Sequence, residues 1–394
     1  MIKPIHPFPA RMAPELAIAE LTRLKRNSIV LDPMSGSGTV VRHASELGLQ
    51  AIGFDMDPLA VLMSRAWTTR VNVKTVQGMA VKAVAEATLL KPNAIKLPWI
   101  DEDQETKAFV SYWFGRKQQN DLRRLSFVLI RYANKAKKKE DVAAVDVLKI
   151  ALSRIIVTKE QCASLARDTS HSRPHRVATK SDFEVLSAFE RSVSYVTRLL
   201  ESAPPKGKTK IKIGDARSLK LKAGTVDAVI TSPPYLNAID YMRGHRMALV
   251  WLGFSFADLR RIRSASIGAE RAPDKAINDA VKEITAAMGT IKKMDSRHRA
   301  MIDRYAQDVA LLMNEVSRVL KPGGKAIFVV GNSCLKGTFV QNSEAVACAG
   351  KKAGLKVKKK TVRALPERSR YLPMAAGALS MRMRTETVLT FIKN

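Results

Sequence analysis

The feature that most constrains the fold of this chain is a strand, a glycine-rich loop and a helix in immediate succession near its start. Asn27 to Asp32 reads as a short apolar strand, and Val40 to Leu47 as a helix. Between them, Pro33-Met34-Ser35-Gly36-Ser37-Gly38-Thr39 is a loop whose glycines let the backbone approach a ligand closely. Such a unit belongs to a doubly wound nucleotide-binding sheet. Gln50 to Asp55 supplies a second strand ending in a carboxylate. Asp55 lies 23 positions after Asp32, near the spacing of about 20 residues expected for an acid that holds ribose hydroxyls. The plainer alternative for Asp55 is a turn residue.

One departure narrows the choice of ligand. A dinucleotide loop carries a third glycine three positions after the second, where helix and strand pack, and here that position is Val41. The Gly-Lys-Ser/Thr of a phosphate-binding P-loop is also missing. A cofactor with adenine and ribose but no phosphate fits better, which points to S-adenosylmethionine.

A second signature closes the apolar run Val226 to Thr231 with Ser232-Pro233-Pro234-Tyr235. Consecutive prolines donate no backbone hydrogen bonds and fix their own φ, so the chain leaves the sheet with carbonyls free to accept. A hydroxyl, outward carbonyls and a Tyr ring suit a planar amine: hydrogen bonds hold the exocyclic NH2 of a nucleobase while Tyr235 stacks on its face. Taken alone, the tetrad is equally a strand followed by a Pro-rich turn.

Together, Asp32 to Thr39 and Thr231 to Tyr235 resemble the motifs of the amino-methylating DNA methyltransferases, which modify cytosine N4 or adenine N6 with S-adenosylmethionine. His6-Pro7-Phe8-Pro9-Ala10-Arg11-Met12 is similar to the family's early cofactor-side motif. Ile213-Gly214-Asp215-Ala216 is similar to the motif whose acid contacts the adenine amino group. Lys321-Pro322-Gly323-Gly324-Lys325, with the strand Ala326 to Gly331, resembles the turn and strand that follow the catalytic motif. The resemblance implies an α/β fold, a doubly wound seven-stranded mostly parallel sheet of the class I methyltransferase, Rossmann-like kind, with a large helical insertion. It implies cofactor contacts from Phe8, Asp32, Pro33, Ser35, Gly36, Gly38, Thr39, Asp55 and Asp215, and catalytic roles for Ser232, Pro233, Pro234 and Tyr235. Ser at the head of the tetrad is associated in that family mainly with cytosine N4, and Asp or Asn with adenine N6. Cytosine N4 in a short duplex sequence is therefore the expected target, and a cognate restriction endonuclease is a candidate partner. Many Ser-headed members are circularly permuted, whereas here the cofactor motifs come first, so no recognition domain is transferred from them.

Charge agrees with this reading. The chain of 394 residues carries 67 Lys and Arg against 36 Asp and Glu, a net charge of +31. Excess of this size suits a polyanionic partner such as double-stranded DNA, because phosphate neutralisation releases counterions; a solubilising surface is the alternative. No apolar run approaches the roughly 18 residues that span a bilayer, and the N-terminus lacks an apolar signal segment, so no membrane association is expected. Three widely spaced cysteines, Cys162, Cys334 and Cys348, suit a reducing compartment, here the cytoplasm at the nucleoid. None sits in the Pro-Cys context of carbon-5 cytosine methylation. The histidines do not cluster with cysteines at zinc spacing, and Pro174 separates His171 from His175, so no metal is expected.

The chain divides into 1–70, the first half of the core; 71–207, a helical insertion and candidate DNA-recognition domain; and 208–394, the second half of the core. Helical periodicity runs over Asp121 to Ala136, Ala143 to Ile156 and Asp182 to Leu200. Candidate nucleic-acid contacts are Arg173, His175 and Arg176 in the polar stretch from Arg167, Arg243 and Arg246 just past the tetrad, and Arg368 and Arg370 in a basic C-terminal lobe. The alternatives are a solvated loop, a core-packing helix and a charged hairpin. Residues 260–300 read either as a mobile basic segment that orders over DNA or as a helical connector. Leu355 to Thr361 and Glu386 to Phe391 complete the strand candidates. Rival readings are an RNA methyltransferase with the same corner, a noncatalytic nucleic-acid module, and a nicotinamide oxidoreductase, the last weakened by Val41.

Overall fold

The computed structural model describes residues 2–8, 11–168, 174–236, 240–269, 271–273, 276–289, 294–335, 337–365 and 385–394. Seven strands form the main sheet: β1 (Ile29–Asp32), β2 (Gln50–Asp55), β3 (Thr209–Ile213), β4 (Val226–Thr231), β5 (Leu320–Gly331), β6 (Leu355–Ala364) and β7 (Thr385–Lys393). Their order across the sheet is β6-β7-β5-β4-β1-β2-β3. β7 runs antiparallel to both of its neighbours, and every other pairing is parallel. The seven-stranded, mostly parallel sheet read from the sequence is thus present.

Strands buried on both faces read as continuous apolar runs, and β1, β4 and β5 do so. Alternate residues feed two cores. Leu31, Val229 and Phe328 face one, packed with helices Asp279–Ala287, Ser296–Val319 and Asn342–Lys352. Val30, Ile230 and Ile327 face the other, with helices Pro14–Leu21 and Thr39–Glu46. Val41 is fully buried in this second core, occupying the space a dinucleotide loop would leave to glycine. The outer strands carry lysines, Lys210 and Lys212 on β3 and Lys356, Lys358, Lys359 and Lys360 on β6, which discourage pairing with another chain.

The turn expected at Lys321 to Lys325 lies inside β5. Register passes from Val226 opposite Leu320 to Ala228 opposite Lys325, so the Lys-Pro-Gly-Gly segment bulges out of the ladder, with Gly323 at φ +73°. Asp227 braces this end of the sheet by accepting from Ile29 N at 2.8 Å and Lys321 Nζ at 2.7 Å.

Between β2 and β3 the chain is helical, with Val73–Leu89, Gln104–Trp113, Arg116–Lys135, Lys139–Arg154 and Val185–Ser202 as its longer members. Leu122, Leu125, Val128 and Leu129 form one apolar stripe of Arg116–Lys135, each at most 1% exposed. These helices share a core with Leu59, Met63 and Trp67 of helix Pro58–Thr68 and with Met247 and Trp251 beyond the tetrad. Arg65 adds a bidentate pair to Asp146, at 2.5 and 2.7 Å. The segment between 260 and 300 resolves toward the connector reading: its described residues include the end of helix Phe256–Ala265, opened by a Ser255 and Asp258 capping box, then Asp279–Ala287 and the start of Ser296–Val319.

Candidate active site

Strand order reverses between β1 and β4, and in open α/β sheets ligands bind beyond the carboxyl ends of the strands at such a switch point. A cavity of about 390 Å³ lies there. Phe8, Asp32, Pro33, Ser35, Gly36, Thr39, Asp55 and Asp215 line it, and so do Ser232, Pro234 and Tyr235. The early loop and the Pro-rich corner therefore open into one space. Two expected positions lie behind its wall: Pro233 is buried outside the lining, and Gly38 caps helix Thr39–Glu46.

Hydrogen bonds explain how the two motifs meet. Thr231, the last residue of β4, donates its hydroxyl to Asp32 Oδ1 at 2.8 Å, and Met34 N reaches the same oxygen at 3.2 Å. Gly36 N donates to Asp55 Oδ2 at 2.8 Å and Asp57 N to Asp55 Oδ1 at 3.0 Å, so the loop is tied to the end of β2. Gly36 and Gly38 take φ of +51° and +93°, which only glycine adopts freely. A Cβ on Gly38 would sit 2.9 Å from the Cα of Ser64; one on Gly36 would meet only the ring of Phe8, at 3.2 Å.

The cavity gathers buried acids beside arginines. Burial pushes the Asp32 carboxyl up to about 7, against the pull of its Thr231 and Met34 hydrogen bonds. Burial, then the charge of Asp57, pushes Asp55 up to about 6. For Asp57 burial acts upward too, but the pairing with His245 Nδ1 outweighs it and leaves the carboxyl below its ordinary value. Three desolvated carboxylates around one cavity favour a cationic ligand. Phe8 stacks on Tyr241 with ring centroids 5.1 Å apart and forms an aromatic flank.

At the corner, Ser232 donates its hydroxyl hydrogen to Val329 O of β5 at 2.9 Å. A hydroxyl has one hydrogen and two acceptor lone pairs, so this bond leaves the oxygen to act as an acceptor.

The expected nucleic-acid contacts fall in different settings. His175 and Arg176 form one strand of a short hairpin with Ala166–Arg167; both are exposed, and the Arg176 guanidinium stacks on the exposed Tyr112 ring at 4.5 Å. Arg243 is exposed on helix Tyr241–Leu249. Arg246, on the same helix, is wedged between the rings of Phe109 and Phe256, at 5.4 and 5.5 Å, so it is held by aromatic faces. Arg173, Arg368 and Arg370 lie outside the described residues, as does most of the basic C-terminal lobe.

Several site residues escape a reading of motifs. Asp57 caps helix Pro58–Thr68, accepting from Leu59 N at 2.8 Å, a role its position before Pro58 signals. Arg217 leaves no such signal. It grips Asp215 through Nε at 3.0 Å, Asp308 at 2.5 Å and the carbonyl of Ala265 at 2.5 Å. The cavity acid is thereby joined to helices Phe256–Ala265 and Ser296–Val319. Arg260, Arg263 and Arg271 line the wall opposite the early loop.

A sheet of this order with its last strand reversed, with a cavity at its switch point, has the Rossmann-like arrangement expected of a class I methyltransferase fold. No family model matches the chain. It is 22% identical over 357 residues to the type II methyltransferase M.MvaI of Kocuria varians, spanning 84% of this chain and 77% of that protein. It is 21% identical over 371 residues to the type II methyltransferase M.BsoBI of Geobacillus stearothermophilus, spanning 80% of this chain and 71% of that one. These relatives bear out the resemblance read from the motifs. Among solved structures, a SAM-dependent methyltransferase from Methanosarcina mazei matches over 95% of this chain and 96% of its own, at 10% identity and a TM-score of 0.33.

Proposed function

We propose that this chain is an S-adenosylmethionine-dependent DNA methyltransferase that modifies an exocyclic amino group, cytosine N4 within a short duplex sequence. The observation that carries the reading is the shared cavity: buried acids that suit a cation and the Ser232 to Tyr235 corner that suits a planar amine face the same space. The relatedness to type II methyltransferases and the charge of +31 support it.

When bound, the cofactor supplies a methyl group on a sulfonium centre. In this reading Asp55 would accept from ribose hydroxyls and Asp215 from the adenine amine, while Asp32 would offer negative charge to the cationic end. Ser232 Oγ accepts an N–H of the target amine, which draws the nitrogen lone pair out of conjugation and aims it at the methyl. Tyr235 offers its ring to a base extruded from the duplex. No strong base is required, because the nitrogen proton becomes acidic once a fourth substituent is attached. A paired endonuclease cutting the unmethylated sequence belongs to the same reading.

The test is sequencing of modified bases in DNA from cells that express the protein or its Ser232→Ala variant. N4-methylcytosine in one short context is expected, with transfer by the variant reduced about 100-fold. N6-methyladenine in its place would overturn the base assignment. Methyl transfer confined to RNA would overturn the polymer.

A further inference from the structure

Five residues past Tyr235, Asp240 lines the cavity, and so does Arg263. Arg263 Nε donates to Asp240 Oδ2 at 2.8 Å, and Arg243 Nε lies 3.9 Å from the same oxygen. Arg246 is within electrostatic reach of all three, and its buried Nε makes no hydrogen bond. Neighbouring arginines have acids of their own, Arg260 with Glu105 and Arg261 with Asp258. Arg243 and Arg263 instead share one carboxylate, with Arg246 close enough to feel its charge.

We propose that Asp240 stands in for a backbone phosphate, holding Arg243 and Arg263 in place until the phosphate beside the extruded nucleotide displaces it. The proposal rests on the DNA methyltransferase reading and names the group that receives the strand at that same site. Arg263 is about half exposed, so its pair with Asp240 is weak in water and breaks at little cost. A phosphate offers more oxygens to the same guanidiniums, in the bidentate geometry they favour. The position beside Tyr235 is where an extruded nucleotide must pass its own backbone. In the plainer account the ion pair only pins helix Phe256–Ala265 to the chain beyond the tetrad.

The phosphate account predicts opposite signs for the two halves of the pair, whereas a purely structural pair predicts the same sign for both. Full-length protein is titrated against a duplex of about 30 base pairs of mixed sequence, over a series of NaCl concentrations. If Asp240 competes with phosphate, Asp240→Asn tightens binding by about 3- to 10-fold, because a repelling charge is gone. Arg263→Gln weakens it by about 10-fold and lowers the slope of log affinity against log salt by about 1, while Arg263→Lys keeps the slope. Weaker binding by Asp240→Asn, or an unchanged slope for Arg263→Gln, overturns the proposal and leaves the functional reading standing. Wild-type protein that binds no duplex even at low salt overturns both.

Discussion

Asp32 carries two roles that pull in opposite directions: it joins β1 to the end of β4 through Thr231, and it lies 3% exposed beside a cavity suited to a cation. With its carboxyl raised from 3.8 to about 7, the stability it contributes is full below pH 4 and is lost as pH climbs through 7. An Asp32→Asn variant keeps the acceptor for Thr231 and Met34 without the titration. Wild-type protein is expected to lose stability relative to that variant between pH 4 and pH 8, on the order of 2–4 kcal/mol, in urea unfolding curves. Parallel curves across that range would dismiss the buried-acid argument. A cationic cofactor reverses the preference by favouring the carboxylate, so binding near pH 6 should release protons. Calorimetry in buffers of different ionisation enthalpy measures that release, and a smaller release, from Asp55 alone, is expected from Asp32→Asn. His245 protects Asp57 from the same effect, so of these three buried acids one is firmly ionised and two respond to occupancy.

The glycine-rich loop shows how one element is fixed by what it packs against. Gly38→Ala drives a Cβ into the backbone of Ser64 at φ +93° and should cost about 2–4 kcal/mol, whereas Gly36→Ala displaces only the Phe8 ring and should cost about 1 kcal/mol. Thermal unfolding of the two variants checks the order, and a reversed order would mean that the loop relaxes. Both glycines stood out in the sequence because the strand, loop and helix are contiguous. The same is true of Ser232 to Tyr235, and six of the seven strands were legible in the sequence; β3, Thr-Lys-Ile-Lys-Ile, was not, because its lysines leave it no apolar run. What sequence could not show was contact between distant segments. Thr231 meets Asp32 across 199 positions and Arg217 meets Asp308 across 91, with no periodicity to announce either. Arg260 and Arg263 fell in a stretch that read as a mobile basic segment or a helical connector, because their partners, Glu105 and Asp240, lie in other elements. Arg246 read as a phosphate contact since nothing local reveals the rings of Phe109 and Phe256 on either side of it.

For the whole molecule, the helices between β2 and β3 are bound to the sheet layer by apolar burial. They cover Leu59, Met63, Trp67 and Trp251, each at most 4% exposed. Replacing 73–202 by a short linker should therefore give insoluble protein, and a soluble product that binds cofactor would show that the core stands alone. The sheet topology also sets an order of assembly during synthesis. β1 must wait for β4 to be made before it gains its second neighbour, and β2 likewise waits for β3, while the intervening helices find partners close by in the chain. As the ribosome releases the polypeptide, the helical layer can settle first, and the half-built binding cleft stays open until residue 231 has emerged. No nascent fragment that ends before residue 231 can pair Thr231 with Asp32, so the two motifs of the cleft are first joined when that residue is in place.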